Sequence, residues 1–222
     1  PPNWLVYFGV PDTDAAVQRA NALGGSTIVP ARDIPGTGRF AVLRDPAGAV
    51  FALMTPAPTM PAAKETDPQL GEFSWHELIT TDWETSWSFY SAILGWVKKE
   101  AMDMGPMGTY QMFGRDRFTY GGMYNKPKEN PAPPHWLSYI RVQSVDALIA
   151  KLTYMGGKVL LGPMDVPGGD RVVMCMDPQG AAFALHAKGA MAMPAAPAAK
   201  AKPKAKAKPK AKAKPKAKAK PK

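Results

Sequence analysis

The sequence contains one cysteine among its 222 residues and no long run of apolar residues. A single thiol cannot form a disulfide within the chain, and it excludes a zinc site built from several cysteines. No window approaches the roughly 20 consecutive apolar residues of a membrane-spanning helix, and no secretory leader is visible. Cys175 lies in an apolar run, where a thiol usually packs as a small hydrophobic side chain. These features predict a folded, cytoplasmic protein.

Basic charge is scarce outside the last part of the chain. The formal net charge is +10, but 12 of the 28 Lys and Arg residues are lysines of segment 200–222. The other 16 basic residues face 18 acidic ones, which leaves residues 1–199 with a formal charge of −2. A nearly neutral folded part does not indicate a basic groove for nucleic acid.

An internal duplication dominates the folded part. Residues 1–54 align without a gap to residues 133–186, and 21 of the 54 positions are identical. Each copy reads as a strand, a helix and three more strands, with Asp-Pro-x-Gly turns at Asp45 and Asp177 joining the last two strands. Gly24 is placed to end the first helix in a left-handed conformation.

A third unit, Phe73 to about Lys126, keeps this order of elements without obvious identity. Thr81 and Glu84 have the spacing of a capping box at the start of its helix, and Gly95 is predicted to end that helix. A proline-rich segment precedes the unit and is expected to be an extended linker. The sequence thus predicts an α+β protein of repeated βαβββ modules.

The pattern resembles the vicinal oxygen chelate superfamily, which includes glyoxalase I, fosfomycin and bleomycin resistance proteins and extradiol dioxygenases. The motifs that carry the resemblance are Asp82 with Phe89-Tyr90 and Leu94-Gly95-Trp96, Val-x-x-x-Asp-Ala at Val10 and Val142, two Gly-Gly pairs and two Asp-Pro-x-Gly turns. The start of the third unit, from Trp75 to Asp82, looks like a two-domain subgroup of unassigned glyoxalase-like proteins.

The resemblance implies that two modules pair into one cupped, mixed eight-stranded sheet around a cavity. Residues 72–188 would then form a complete domain, and residues 58–71 the linker before it. Residues 1–57 would be the second half of an earlier pair whose first half is absent, because a lone module would expose a sheet edge. The last segment, 189–222, would be a disordered tail.

The resemblance also identifies the positions at which metal-dependent members hold their metal. These positions contain Trp75, Leu137 and Ala184 in the complete domain, and Leu5 and Ala52 in the first copy. None of these side chains binds metals, so we expect no divalent metal at the usual site. If the register is off by one residue, His76 replaces Trp75 as a metal-ligand candidate.

Strand alternation brings other residues toward the predicted cup. If Trp75 and Ala184 face the cavity, so do Glu77, His186 and Tyr139. Glu77 would have a raised pKa and act as general base, with His186 or Tyr139 as acid or hydrogen-bonding partner. In a second interpretation Glu77 only orders the cup and His186 lies at a frayed strand end.

The predicted ligand-binding residues are either cup lining or plain core, because strand aromatics and methionines are usually core. They are Trp75, Tyr110, Met112, Met123, Leu137 and Ala184. The ligand is expected to be a small molecule, bound or transformed without the usual metal. If the protein is an enzyme, the resemblance implies a lyase, isomerase or dioxygenase.

The tail provides an alternative function. Lysine, alanine and proline tails of this kind bind polyanions such as DNA through counterion release, without sequence preference. The modules would then be a scaffold for the tail. The composition is equally consistent with a tail that only increases solubility and has no fixed partner. The lysines predicted to contact nucleic acid are Lys200, Lys202, Lys204, Lys206, Lys208 and Lys210.

Overall fold

The computed structural model describes residues 2–61 and 66–189, which lie within one compact unit. The predicted tail, with its nucleic-acid-binding lysines, and residues 62–65 of the predicted linker lie outside the described residues. No helix of the described part is long and apolar enough to cross a membrane.

The first copy of the duplicated sequence forms a separate four-stranded sheet with one helix. Its elements are β1 (Tyr7–Gly9), α1 (Thr13–Ala22), β2 (Ser26–Ile34), β3 (Gly38–Arg44) and β4 (Val50–Pro56). The strand order is β1-β4-β3-β2, and β1 runs parallel to β4. Gly24 follows α1 with φ +91°, which confirms the left-handed position predicted for it.

The remaining modules share one eight-stranded sheet, as predicted. The third unit contains β5 (Phe73–Thr80), α2 (Trp83–Leu94), β6 (Val97–Asp103), a 3₁₀ turn (Gly105–Met107), β7 (Thr109–Arg115) and β8 (Phe118–Asn125). The second copy contains β9 (His135–Arg141), α3 (Val145–Tyr154), β10 (Lys158–Asp165), β11 (Arg171–Met176) and β12 (Ala182–Ala187). The order is β10-β11-β12-β9-β5-β8-β7-β6. The modules join where β5 and β9 pair antiparallel, and parallel pairs on either side make the sheet mixed.

The duplication is visible in side-chain contacts as well as in topology. Arg39 of β3 binds Asp14 at the start of α1, with 2.6 Å between Arg39 Nε and Asp14 Oδ2, and also binds Asp33. At the equivalent positions of the second copy, Arg171 binds Asp146 with the same 2.6 Å separation, and it also binds Asp165. These ion pairs join the helix of each copy to its hairpin. Because their side chains are half-exposed or exposed, they contribute only modestly to the free energy of unfolding.

The two faces of the eight-stranded sheet have different surroundings. Alternation along β5 directs Trp75, Glu77 and Ile79 to one face and His76 and Leu78 to the other. The face of Leu78 is covered by α2 and by the first copy, because Leu78 belongs to a buried cluster that also contains members of β1, α1 and α2. We call the opposite face, that of Glu77, the cup face.

Candidate functional site

The cup face is lined mainly by apolar and aromatic side chains. The buried members of its cluster are Ile79, Leu137, Tyr139, Val172 and Ala184, and half-buried members include Trp75, Tyr124, Met164, Val166, Met174 and Ala182. Half-buried aromatic and methionine side chains on a sheet face offer apolar surface to a ligand. Three of the predicted lining residues belong to this cluster, namely Trp75, Leu137 and Ala184.

Glu77 lies on the cup face between two tyrosines. The Tyr110 hydroxyl donates to Glu77 Oε1 at 3.0 Å, and the Tyr139 hydroxyl donates to Glu77 Oε2 at 3.0 Å. Trp75 Nε1 donates to the Tyr110 oxygen at 2.8 Å, which extends the network by one more member. The structure thus brings together two of the predicted catalytic residues, Glu77 and Tyr139, with two of the predicted lining residues.

Burial controls the ionisation of this network. Glu77 is only 6% exposed, and its burial raises the pKa of the carboxyl from 4.5 to about 7, although the hydrogen bonds from Tyr110 and Tyr139 act to lower the pKa. Burial and the neighbouring Glu77 charge also raise the pKa of Tyr110 and of Tyr139. Both phenols therefore keep their protons at neutral pH, whereas Glu77 can exchange one.

A glycine that the sequence motifs did not single out makes room for the Tyr110 side chain. A Cβ atom added at Gly122 of β8 would lie 2.0 Å from Tyr110 Cε1, so only glycine lets that ring cross β8 toward Glu77. The ring also stacks on Tyr124 with centroids 5.8 Å apart. The signal available in the sequence was the Gly121-Gly122 pair inside a strand, because such glycines often mark a close approach.

The structure does not bring His186 to Glu77. His186 lies two residues beyond Ala184 on β12, but its Nδ1 is 2.7 Å from Ser74 Oγ and its Nε2 is 2.8 Å from Asp170 Oδ2. Burial acts to raise the pKa of Asp170, yet the hydrogen bonds from the Gly189 N–H and from His186 outweigh it and lower that pKa. Both ring nitrogens are therefore engaged by Ser74 and Asp170 and not by Glu77 or the two tyrosines.

The remaining predicted residues divide between the two faces. Met112 lies two residues from Tyr110 on β7, so alternation directs it to the cup face, where it is half-buried. Met123 is fully buried in the cluster on the opposite face, with Leu78, so it does not line the cup. The reason is alternation along β8, because Gly122 and Tyr124 occupy the cup-facing positions.

The residues of the cup do not fit a divalent metal. The positions of the usual ligands hold Trp75, Leu137 and Ala184, which have no metal-binding atom, and both oxygens of Glu77 accept hydrogen bonds from tyrosines. Within residues 2–61 and 66–189, no group of three His, Cys, Asp or Glu side chains is arranged to hold a metal ion. His76 faces away from the cup and forms a contact with Ser138 Oγ instead.

The family model described as "Glyoxalase/Bleomycin resistance protein/Dioxygenase superfamily" matches residues 72–185. The chain belongs to this superfamily. The matched residues are those of the eight-stranded sheet, which agrees with the resemblance drawn from the sequence motifs.

Two relatives extend the similarity over the first copy. "Putative glyoxylase CFP32" of Mycobacterium tuberculosis is 32% identical over 185 residues, which cover 83% of this chain and 69% of the relative. "Anthracycline biosynthesis protein DauV" of a Streptomyces species is 34% identical over 186 residues, which cover 83% of this chain and 66% of the relative. The chain therefore spans about two thirds of the length of these superfamily members.

Solved structures support the fold at lower identity. The 2,2',3-trihydroxybiphenyl 1,2-dioxygenase of Sphingomonas wittichii superposes with a TM-score of 0.57 at 17% identity, over 85% of this chain and 72% of the dioxygenase chain. The Mn(II)-bound glyoxalase of Novosphingobium aromaticivorans superposes with a TM-score of 0.53 at 16% identity, over 82% of this chain and 62% of the glyoxalase chain. At this identity the similarity establishes the superfamily fold and not a shared activity.

Proposed function

We propose that the cup of residues 73–188 binds and transforms a flat, mainly apolar small molecule without a divalent metal. The observation that carries the proposal is the Glu77 carboxyl on the cup face, buried and held by two tyrosine hydroxyls. A ligand pocket of this kind combines an apolar wall with a few polar groups that fix orientation.

The chemistry that fits this arrangement is proton transfer. A carboxyl group with a pKa of about 7 is balanced between its acid and base forms at neutral pH, which suits a general acid–base group. The Tyr139 hydroxyl donates to Glu77, so it can pass a proton between Glu77 and a ligand hydroxyl or carbonyl. Two reactions therefore fit better than one that activates oxygen: an isomerisation, in which a proton removed from one ligand atom is returned to another, and an elimination, in which the removed proton is passed to the leaving group.

The name of one relative agrees with an aromatic ligand. One relative is named for anthracycline biosynthesis, and anthracyclines are flat fused-ring compounds. Trp75 and Tyr124, both half-buried on the cup face, provide rings for such a molecule to stack on.

A reducing compartment such as the cytoplasm suits the buried, unpaired Cys175.

Catechol is a suitable probe because it is flat and carries two hydroxyls that would also chelate a metal. Nuclear magnetic resonance (NMR) titration of the labelled protein should show saturable shifts of cup amides that persist after dialysis against EDTA. We expect Tyr139→Phe to weaken binding by roughly three- to tenfold, the effect of one lost hydrogen bond. Tyr154→Phe is the control, because Tyr154 of α3 is 92% exposed and does not belong to the cup cluster.

Two results would contradict the proposal. One is the absence of saturable catechol binding at the cup. The other is binding that requires added Ni, Zn, Mn or Fe(II), together with stoichiometric metal retention that disappears in Glu77→Ala. The second result would show that the superfamily's metal chemistry operates here through ligands other than those at the usual positions.

We also propose, as a second function carried by a different segment, that the lysine-rich tail binds polyanions. The supporting observation is the concentration of 12 lysines in residues 200–222, beside a nearly neutral remainder. Removal of residues 191–222 should abolish binding to a random DNA duplex and its salt dependence. Unchanged binding after this deletion would exclude the tail as the binding segment.

A further inference from the structure

A cavity lies on the sheet face opposite the cup, where β1 of the first copy meets the third unit. Its volume is about 470 Å³, which lies within the range of ligand pockets of about 300 to 1,000 Å³. Its lining comes from β1, from the segment before β5, from β5 itself, from the end of α2 with the residues after it, and from β7 and β8. Glu77, Tyr110 and Tyr139 do not line it, so the cavity is separate from the cup.

Aromatic rings form much of the cavity wall. Lining rings that have exposed surface include those of Phe73, Phe118 and Tyr120. Trp96 and Phe113 are buried and stack on each other, with their centroids 4.4 Å apart and an angle of 14° between the ring planes. Such a wall accepts a flat apolar group.

His76 supplies a hydrogen-bonding atom to this cavity. Its Nδ1 lies 3.1 Å from Ser138 Oγ, and its Nε2 has no hydrogen-bond partner among the described residues. Within that part of the chain, every fully buried side-chain nitrogen or oxygen has a partner, so the unpartnered Nε2 is accessible. Because His76 lines the cavity, a molecule in the cavity can reach this atom.

Two arginines at the cavity lack the acidic partners that Arg39 and Arg171 have. Arg39 and Arg171 are each bound by two aspartates. In contrast, Arg115 donates to the backbone oxygen of Leu94 at 2.7 Å, and Arg117 packs over the Phe118 ring. Neither forms an ion pair within the described residues, and each retains unused N–H donors.

The charge around the opening favours an anion. A second cavity of about 420 Å³ shares Arg117, Phe118 and Asp67 with the first, so the two continue into each other. Among the described lining residues, Asp67 is the one acidic side chain, and it is accompanied by two arginines. Burial lowers the pKa of His76 to about 4, so this residue is neutral at pH 7 and leaves the arginines to provide the charge.

We propose that this cavity is a second ligand site, which binds a flat aromatic acid. The ring of the ligand lies against Phe118 and Tyr120, and its acidic group is bound by Arg115 and Arg117. His76 Nε2 forms a further hydrogen bond with the acidic group. This site acts independently of the cup and of the reaction proposed there.

The test compares 2-naphthoate with 2-naphthol, which has the same ring system and no charge at pH 7. Both are titrated by NMR into the 222-residue chain, and the shifted amides locate the site. We expect 2-naphthoate to shift the amides of Phe118 and Tyr120 and to bind on the order of tenfold more tightly than 2-naphthol. The double variant Arg115→Gln/Arg117→Gln should remove this preference, because the charged contact is lost. Added salt should weaken binding of 2-naphthoate and leave 2-naphthol nearly unchanged.

Matched variants test whether binding depends on the arginines of this cavity. Arg32→Gln removes an exposed arginine that also packs over a phenylalanine, Phe40, but lies outside the cavity, so it should change binding less than twofold. Tyr139→Phe, which alters the cup, should also leave 2-naphthoate binding unchanged, so failure of this second site and failure of the cup proposal are distinguishable. Any of three results would overturn the proposal. They are equal affinities for 2-naphthoate and 2-naphthol, a loss of affinity in Arg32→Gln as large as that in the double variant, and no saturable binding at the cavity.

Discussion

Glu77 is a buried carboxyl group whose hydrogen-bond partners are both neutral. A buried carboxylate is commonly stabilised by an Arg or Lys, which lowers its pKa. Here the partners are phenol hydroxyls, which donate hydrogen bonds but carry no charge. Desolvation therefore dominates, and the pKa rises to about 7. The same feature that suits Glu77 to proton transfer also makes it a source of instability at high pH.

Replacing Glu77 with Gln should remove a pH dependence of stability. Folding raises the pKa of Glu77 from 4.5 to about 7, so between these values the folded protein retains a proton that the unfolded chain has lost. The free energy of unfolding should therefore fall as pH rises through this window, by up to about 3 kcal/mol. Urea unfolding of wild type and Glu77→Gln from pH 4 to pH 8 measures the difference.

Above pH 7, Glu77→Gln should have a higher free energy of unfolding than wild type, and this difference should shrink toward pH 4. Glu100→Gln is the control, because Glu100 is an exposed residue of β6. Parallel pH profiles for wild type and Glu77→Gln would mean that Glu77 titrates with an ordinary pKa in the folded protein.

Alternation along strands predicted part of the site and could not predict the rest. It placed Glu77, Trp75 and Tyr139 on one face, because that relation needs only the positions of β5 and β9. The bond between Tyr110 and Glu77 depends on the register of β7 against β8, which the sequence does not display. His186 was placed next to the cup by the same rule, but the rule does not account for Asp170, which binds His186 from 16 positions earlier.

Among the elements, helix α2 shows how a motif can be displaced by one residue. The spacing of Thr81 and Glu84 predicted a capping box with Thr81 as the N-cap residue. The structure instead has Asp82 as the N-cap, because its Oδ1 accepts from the backbone N–H groups of Glu84 and Thr85, both at 3.1 Å. The Thr85 hydroxyl also donates to Asp82 Oδ2 at 2.7 Å. A carboxylate also interacts favourably with the helix dipole at this end.

The cap predicts opposite outcomes for two neighbouring substitutions. Asp82→Ala should lower the free energy of unfolding by about 1 to 2 kcal/mol, because it leaves two backbone donors of the first turn without their partner. Thr81→Ala should change it by less than about 0.5 kcal/mol, because Thr81 is exposed and is not the cap. Thermal or urea unfolding at pH 7 measures both. A larger effect for Thr81→Ala than for Asp82→Ala would show that Thr81 is the N-cap residue, as the capping-box spacing predicted.

Strand ends were less predictable than strand positions. The run of aromatic and β-branched residues at the start of the first copy begins at Trp4, yet β1 is confined to Tyr7–Gly9. After β7, Arg115 pairs with Phe118 and leaves Asp116 and Arg117 as the turn. Asp116 has φ +45°, a conformation that Asp tolerates better than most residues. Such ends depend on pairing with distant strands, which local sequence does not specify.

At the scale of the whole molecule, a buried polar chain connects the first copy to the eight-stranded sheet. Asp45, in the turn before β4, accepts from the backbone N–H groups of Gly48 and Ala49 through Oδ1, both at 2.8 Å. Its Oδ2 accepts from the Tyr90 hydroxyl on α2 at 3.0 Å, and the Tyr90 oxygen accepts from Trp136 Nε1 on β9 at 3.0 Å. The first copy, the third unit and the second copy are thus joined through three side chains.

The duplication provides an internal comparison for this chain. Asp177 is the equivalent of Asp45, and among the described residues its hydrogen-bond donors are the nearby N–H groups of Gln179 and Ala181, both 2.9 Å from Oδ1. The turn itself therefore needs an aspartate in both copies, whereas the bond to Tyr90 is specific to the first copy. We conclude that Tyr90 holds the first copy against the sheet, beyond what the shared apolar cluster contributes.

Tyr90→Phe should therefore destabilise the molecule out of proportion to the loss of one oxygen atom. It leaves Asp45 Oδ2 and Trp136 Nε1 buried without the Tyr90 partner, and we expect a loss of about 2 to 4 kcal/mol in the free energy of unfolding. Tyr154→Phe is the matched control, because Tyr154 is 92% exposed and should change stability by less than about 0.5 kcal/mol. Asp45→Asn combined with Tyr90→Phe should cost less than the sum of the single changes, since both break the same bond. If urea unfolding showed additive effects, the first copy and the sheet would not be coupled through this bond, and apolar packing alone would hold them together.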